Sequence, residues 1–466
     1  MDSKFIDTMD ELNRARFELD LLENKERDLL GNILHTCKAI KENRKTINAQ
    51  KAKIDELVSK RPPAINRLPT ELLSRIFTLC IPEPKSPERS LHQIVGVSRR
   101  WRDIVLNEAN FWTSIKVTET RKLSLLKAQL KRSRSAPLCV WVENFYSDDK
   151  CHAKSLLDIL VPHAERWRAL IICDNWDEIT ELVVENINRL RLPLLRRLSI
   201  HYFSDEHSVT THPALSPTRV PALQHLSLTY HTLRSQTLTP SQSLKSLMLI
   251  GDIKGWSFTG NALHFPLLEE LGLQVNRPMP FLKAIIAPNL GCVRFHATSD
   301  GDPVVFDSVE GKFSDVHYLS FHGQRAVDSL FRAFPGVRQA ELGVRNTSFF
   351  RDPPYTETQE WRAPLDQWQN LETLILQGVG EKWVYNDEKF DRNAIVEWLR
   401  RRQELGQPRL RVRMIDIWVS HENSRFSKLC GLLRAYCDLE LEHVFTELAG
   451  SPIQLASSLA YVQRIN

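Results

Sequence analysis

Apolar residues recur through the middle of the chain in the pattern L-x-x-L-x-L, with Val, Ile, Phe, Ala or Trp allowed. The nine copies are Trp167/Leu170/Ile172, Leu195/Leu198/Ile200, Leu223/Leu226/Leu228, Leu244/Leu247/Leu249, Leu268/Leu271/Leu273, Leu290/Val293/Phe295, Val316/Leu319/Phe321, Val337/Ala340/Leu342 and Leu371/Leu374/Leu376. Their middle residues are 28, 28, 21, 24, 22, 26, 21 and 34 positions apart, mostly within the period of leucine-rich repeats. Pro193, Pro221, Pro266, Pro288 and Pro335 stand two positions before the first apolar residue, so the repeat is more than leucine frequency. Each copy supplies one short parallel strand that cannot bury its apolar side alone, so the copies must stack. The asparagine expected three positions after the last apolar residue occurs only as Asn175 and Asn276; Phe203, His231, Asp252, Thr298, Gln324, Arg345 and Val379 take the equivalent places. The pattern predicts an irregular α/β solenoid of parallel strands with uneven convex segments.

Flanking patterns extend it. Ser114-Ile115-Lys116-Val117, a helix over 121–132 and Pro137–Val142 read as a strand–helix–strand lead-in. Downstream, Ala394–Leu399 reads as a helix and Leu410, Val412 and Met414 as a late strand, with 346–364 an exposed loop. At the other end, residues 1–60 hold 24 charged residues, a single glycine and no proline, which favours one long helix. A heptad frame starting at Phe5 places Phe5, Met9, Leu12, Leu19, Leu30, Ile33, Cys37, Ile40, Ile47, Ile54 and Val58 at core positions, interrupted by Arg16, Glu23, Glu26, Arg44 and Lys51. Either a coiled coil with a second copy or a helix docked on the body satisfies that pattern. Pro62-Pro63 ends it. A short helix with Leu72, Leu73, Ile76 and Phe77 follows, then a proline-punctuated loop at 82–87, then Leu91, Ile94, Val95, Val97, Trp101, Ile104 and Val105 at helical spacing, closed by Phe111-Trp112.

The run L-P-x-E-L-L-x-x-I-F from Leu68 to Phe77, then V-S-R-R-W-R-D-I-V and F-W, resembles the F-box, a helical module covering residues 65–112 here. With the preceding heptad helix, the chain is similar to the F-box proteins of mushroom-forming fungi. It departs from the pattern at Ser98, where cysteine is frequent, and in the lengthened loop at 82–87. The resemblance implies that Leu68, Pro69, Leu72, Ile76 and Phe77, with Trp101, dock on a Skp-type adaptor and through it a cullin, while the repeats hold a target protein.

Composition narrows the remaining choices. At 42% apolar and 26% charged the chain is core-forming, and 62 basic against 57 acidic residues imply neither a nucleic-acid nor an acidic-membrane partner. The basic run from Arg121 to Arg134 carries Leu123, Leu126 and Leu130 at helical spacing and reads as a surface helix with a solvated cationic side. No apolar run reaches membrane-spanning length and Met1-Asp2-Ser3-Lys4 opens no signal peptide, so a cytoplasmic or nuclear location is expected. The eight cysteines form no C-x-x-C pair and read as reduced thiols. Phosphate-cradling, H-E-x-x-H and G-x-S-x-G motifs are absent, Gly378-Val379-Gly380 lacks its third glycine, and Asp300-Gly301-Asp302 lacks the later ligands of a calcium loop. No catalytic residue, metal or cofactor is assigned.

Strand alternation puts the residues between the apolar ones on the opposite, concave face. Arg197, His201, His225, Arg294, His296, Tyr318 and His322 are the candidate target-binding residues there. The expected domains are an N-terminal helix (1–60), an F-box-like module (65–112), a repeat domain (113–420) and a C-terminal cap and tail (421–466). The expected function is the substrate receptor of a cullin-type ubiquitin ligase. The alternative is a non-degradative interaction scaffold that self-associates through residues 1–60.

Overall fold

In the computed structural model, residues 3–60, 64–81, 87–145, 150–175, 177–201, 213, 215–232, 241–253, 263–276, 278–296, 305–322, 328–343, 349–350, 363–377, 392–419 and 424–446 are described. The loops at 82–86 and 351–362, the Asp300–Asp302 and Gly378–Gly380 segments, and residues 447–466 of the expected tail lie outside them. So do most of the positions equivalent to the repeat asparagine. The chain divides into two compact units, residues 1–105 and 106–466.

The first unit is helical. One helix, α1, runs from Ser3 to Lys60, as its helix-forming composition requires. Every residue from 13 to 57 is exposed. The short helices α2 (Thr70–Cys80), α3 (Pro87–Val97) and α4 (Arg99–Asn107) follow, with Leu73, Phe77, Leu91, Ile94, Ile104 and Val105 buried. Arg100 donates from its guanidinium to the Leu68 carbonyl at 2.6 Å, tying the α2 entry to α4.

The second unit is built on one sheet of thirteen strands. These are β1 (Ser114–Val117), β2 (Leu138–Phe145), β3 (Trp167–Asn175), β4 (Arg197–His201), β5 (His225–Thr232), β6 (Ser246–Asp252), β8 (Glu270–Asn276), β10 (Cys292–His296), β11 (Tyr318–His322), β12 (Gln339–Gly343), β13 (Thr373–Gln377), β14 (Arg411–Val419) and β15 (Asp438–Thr446). Two further short strands, β7 (Leu263–His264) and β9 (Ile285–Ile286), pair with each other outside it. Every neighbouring pair is parallel and follows chain order. The fold is an irregular α/β solenoid, and its sheet continues past residue 420 through β15.

Register follows from the two inward residues of each strand. Ile115, Val140, Leu170, Leu198, Leu226, Leu247, Leu271, Val293, Leu319, Ala340, Leu374, Val412 and Leu439 stand opposite one another in one continuous row. A second row two residues on runs from Val117 to Leu441. All nine sequence motifs fall in these rows, and β1, β2, β14 and β15 add four rungs. A slip by one residue would turn both rows to the other face, so burial pins the register. Backbone bonds reinforce it at the strand entrances. The Gln224 carbonyl accepts from the amides of Lys245 and Ser246, Lys245 from Glu269 and Glu270, Glu269 from Gly291 and Cys292, and Gly291 from His317 and Tyr318.

Helices fill the inner face where the connections allow them. Helix Leu123–Arg132 buries Leu126, Gln129 and Leu130, and Gln129 donates to the Ser114 carbonyl at 2.7 Å; Lys131 and Arg132 fall in its last turn, which favours cations. Later coils use aromatic rings instead, among them Phe295 with Phe306 and Phe321, Phe313 with Phe334, and Phe331 with the fully buried Trp368. Gly336 enters β12 beside the Ser314 carbonyl, where any Cβ would collide with backbone. Leu319→Ala, in the middle of the first row with no exposed surface, is expected to cost about 2–5 kcal/mol, read as a lowered denaturant midpoint.

Candidate protein-binding sites

Two surfaces are candidates for contact, one in each unit. On α2 the apolar residues form two adjacent stripes. Leu73 and Phe77 point inward, and Phe77 packs on Trp101 with ring centroids 4.6 Å apart. Leu72 and Leu79 are 48% and 80% exposed, Ile76 is half-buried between them, and Pro69 is exposed one turn earlier. Spacings of four and three put Leu72, Ile76 and Leu79 on one line along the helix. Of the residues expected to meet an adaptor, Pro69, Leu72 and Ile76 therefore lie on the outward stripe, Leu68 is half-buried beside it, and Phe77 supports it from inside. Trp101 is half-buried, with its indole N–H lacking an acceptor among the described residues. Leu79 was not singled out by the sequence pattern, and Val97, which stands in the apolar series at helical spacing, is 60% exposed.

The second surface is the open sheet face. From β10 to β15 its side chains line a shallow depression of about 230 Å³ formed by Arg294, Tyr318, Ser320, Gln339, Glu341, Ile375, Gln377, Arg413, Ile415 and Glu442. Ile375 and Ile415 make an apolar floor, each 4% exposed. Arg413 Nε donates to Glu442 at 3.2 Å, and Arg294 lies 3.7 Å from Glu270 with its guanidinium 5.7 Å from the Tyr318 ring centroid. The Tyr318 hydroxyl donates to one Glu341 carboxylate oxygen, and His322 Nε2 lies 3.5 Å from the other. Burial favours protonation of Glu341, but His322 and the Tyr318 hydroxyl outweigh it and hold the carboxyl below its ordinary range. Burial, then the same carboxylate, pushes the Tyr318 phenol well up, so it stays a donor. Ser320 is fully buried at the centre, and its hydroxyl has no partner among the described residues.

The structure divides the seven sequence candidates. Arg294, Tyr318 and His322 converge on this network, with Arg294 and Tyr318 lining the depression, and His296 stacks on His322 with centroids 5.3 Å apart. The missing side chain at Gly343 leaves room for the His322 ring, since a Cβ there would stand 2.9 Å from Nδ1. Arg197, His201 and His225 lie several strands away on β4 and β5. His201 is buried, its ring nitrogens hydrogen-bonded to the hydroxyls of Ser199 at 2.7 Å and Thr229 at 3.0 Å, and serves the sheet itself. His225 is half-buried, and burial, with Arg197 nearby, lowers its pKa. Arg413, Ile415 and Glu442 were missed as site residues, although the alternation Asp438-Leu-Glu-Leu-Glu marks a strand of the same period.

Among the described residues no cluster of three or more His, Cys, Asp or Glu is placed to hold a metal ion, and no helix is long and apolar enough to cross a membrane. Comparison with known proteins bears on the segment that carries the first surface. Residues 65–118 match the F-box-like family, so the chain carries an F-box-like domain. No curated protein matches the chain significantly. A crystal structure of a Bacteroides fragilis protein is similar at 13% identity, over 71% of this chain and 74% of that one, with a TM-score of 0.27, too low to bear on fold or function.

Because the Glu341 carboxyl is depressed on folding, its contribution is complete above the unfolded carboxylate pKa and is lost as pH falls through the lower folded value. Glu341→Gln should therefore destabilise by about 1–3 kcal/mol at neutral pH. The difference from the parent should shrink as pH falls below about 4, as chemical unfolding at several pH values would show.

Proposed function

We propose that the protein is a substrate-receptor subunit of a cullin-type ubiquitin ligase. The observation that supports this most is the coincidence of the F-box-like match with an outward apolar stripe, Leu72, Ile76 and Leu79, on α2. Solvent-exposed leucines in line on a short helix are an anchor row for a partner groove, and a few such anchors usually dominate an interface. The partner is a Skp-type adaptor, which in turn recruits the cullin.

The target protein docks on the open sheet face at the β10–β15 depression. Its apolar floor, Ile375 and Ile415, suits one apolar anchor side chain, and the rim of Arg294, Arg413, Gln339 and Gln377 suits a polar peptide around it. The chain performs no bond chemistry of its own. It accelerates ubiquitin transfer by holding a target lysine near an activated ubiquitin carried by another subunit, which turns a bimolecular encounter into an effectively intramolecular one.

Leu72→Asp combined with Leu79→Asp should reduce recovery of the adaptor at least tenfold, by roughly the loss of one hot spot, with the thermal midpoint unchanged because both side chains are exposed. Undiminished recovery in a pull-down would remove the stripe from the interface; absence of adaptor with the parent chain would favour the scaffold reading. Arg294→Glu should weaken target binding by about tenfold and leave the adaptor bound, compared by titrating both partners against the same variant.

A further inference from the structure

Helix α1 leaves an apolar line in water. Leu19, Leu30, Ile33, Ile40, Ile47 and Ile54 are each 46–58% exposed, on a helix whose described side chains from 13 to 57 are all exposed. An isolated helix gains little from propensity alone, and a stripe of this length calls for a partner surface of the same length. The charges that interrupt the stripe say which partner and in which direction. Glu23 and Glu26 lie toward one end and Arg44 and Lys51 toward the other, all at core positions of the heptad.

We propose that α1 pairs with α1 of a second copy in antiparallel orientation, centred near residue 35. In a parallel, in-register pair each core residue meets its own copy, so Arg16, Glu23, Glu26, Arg44 and Lys51 make five like-charged layers. Like charges directly opposed oppose association strongly. In the antiparallel pair an a position faces a d position, and residues whose numbers sum to 70 stand opposite. Glu26 then faces Arg44 twice by symmetry, Leu30 faces Ile40, and Ile33 faces Cys37. Glu23 faces Ile47 between the layers of Arg44 and Lys51, so the acidic segment of each helix lies against the basic segment of the other. Arg16 and Lys51 face Ile54 and Leu19, which their methylene stems can cover while the charge reaches water. No core layer is like-charged. Arg27 against Lys41 is the one like-charged pair on the rim, where both are exposed and the interaction is weak. Moving the centre one heptad toward the N-terminus removes the Glu26–Arg44 pair, and one heptad toward the C-terminus shortens the overlap.

This pairing does not depend on the adaptor reading, but it adds a geometry to it. At about 1.5 Å per residue, the two Lys60 ends lie about 75 Å apart, so the two F-box-like regions follow from opposite ends of the paired helices.

The test is the mass of the full-length chain in solution over a concentration series, for the parent, Glu26→Arg, Arg44→Glu and the double exchange. The parent should reach two chains per particle. Each single reversal should raise the dimer dissociation constant at least roughly tenfold by setting like charges opposite each other, and the double exchange should restore it. Circular dichroism at concentrations where all four are paired should show the same helix content. A parent that stays at one chain throughout overturns the pairing. A dimer that the single reversals leave unchanged, or that the double exchange fails to restore, overturns the orientation. Adaptor capture by the Leu72/Leu79 stripe is read separately in the same four proteins and should be equal in all.

Discussion

Thirteen strands stay in register because each contributes two apolar side chains, two residues apart, to the same buried face. One strand of five residues has too little apolar surface to offset the entropy of ordering it, so no coil of the chain folds by itself and each depends on the next. The rows from Ile115 to Leu439 and from Val117 to Leu441 are that dependence made continuous. Everything on the other face follows from it. Once Leu319 and Phe321 point inward, Tyr318, Ser320 and His322 must point outward, and the neighbouring strands bring Arg294 and Glu341 beside them. The depression between β10 and β15 is thus a by-product of the core register.

The aromatic filling of the later coils belongs to the same constraint. Connections that carry full helices, such as Lys150–Leu160 and Asp177–Ile187, cover the inner face with Leu156, Leu157, Val183 and Val184. Between β10 and β13 the described helical segments are short, Asp307–Val309, Asp328–Ala333 and Pro364–Gln367, and phenylalanine and tryptophan rings fill the space beside them. Trp368 and Trp398 still satisfy their indole N–H groups, on the Phe334 carbonyl and the Asp366 carboxylate, at 2.9 and 2.8 Å. A large ring buried with its polar atom paired fills volume without a desolvation cost.

Most of the sheet was legible because its signal is local: two apolar residues at period two, recurring at repeat length. The last strand was not read, although Leu439 and Leu441 alternate with Glu440 and Glu442, because it follows a helix after the last complete motif. On α2 the sequence pattern marks Leu72, Leu73, Ile76 and Phe77 together, yet helical spacing alone cannot say which of two adjacent stripes faces in; Phe77 is settled by Trp101, twenty-four positions away. His201 shows the same limit on the sheet. Its position gives the open face correctly, and only Ser199 and Thr229, on its own and the next strand, turn it from an anchor into a buried, bonded side chain.

In the proposed function, an outward helix stripe recruits an adaptor and a sheet face, fixed by the core, presents a target. Hydrogen–deuterium exchange on the full chain, with and without a purified Skp-type adaptor, tests that division most directly. Slowed exchange confined to residues 65–118 and centred on α2, with β10 to β15 unchanged, is the result the account predicts. Protection on the β10–β15 face, or none over 65–118 at saturating adaptor, would contradict it.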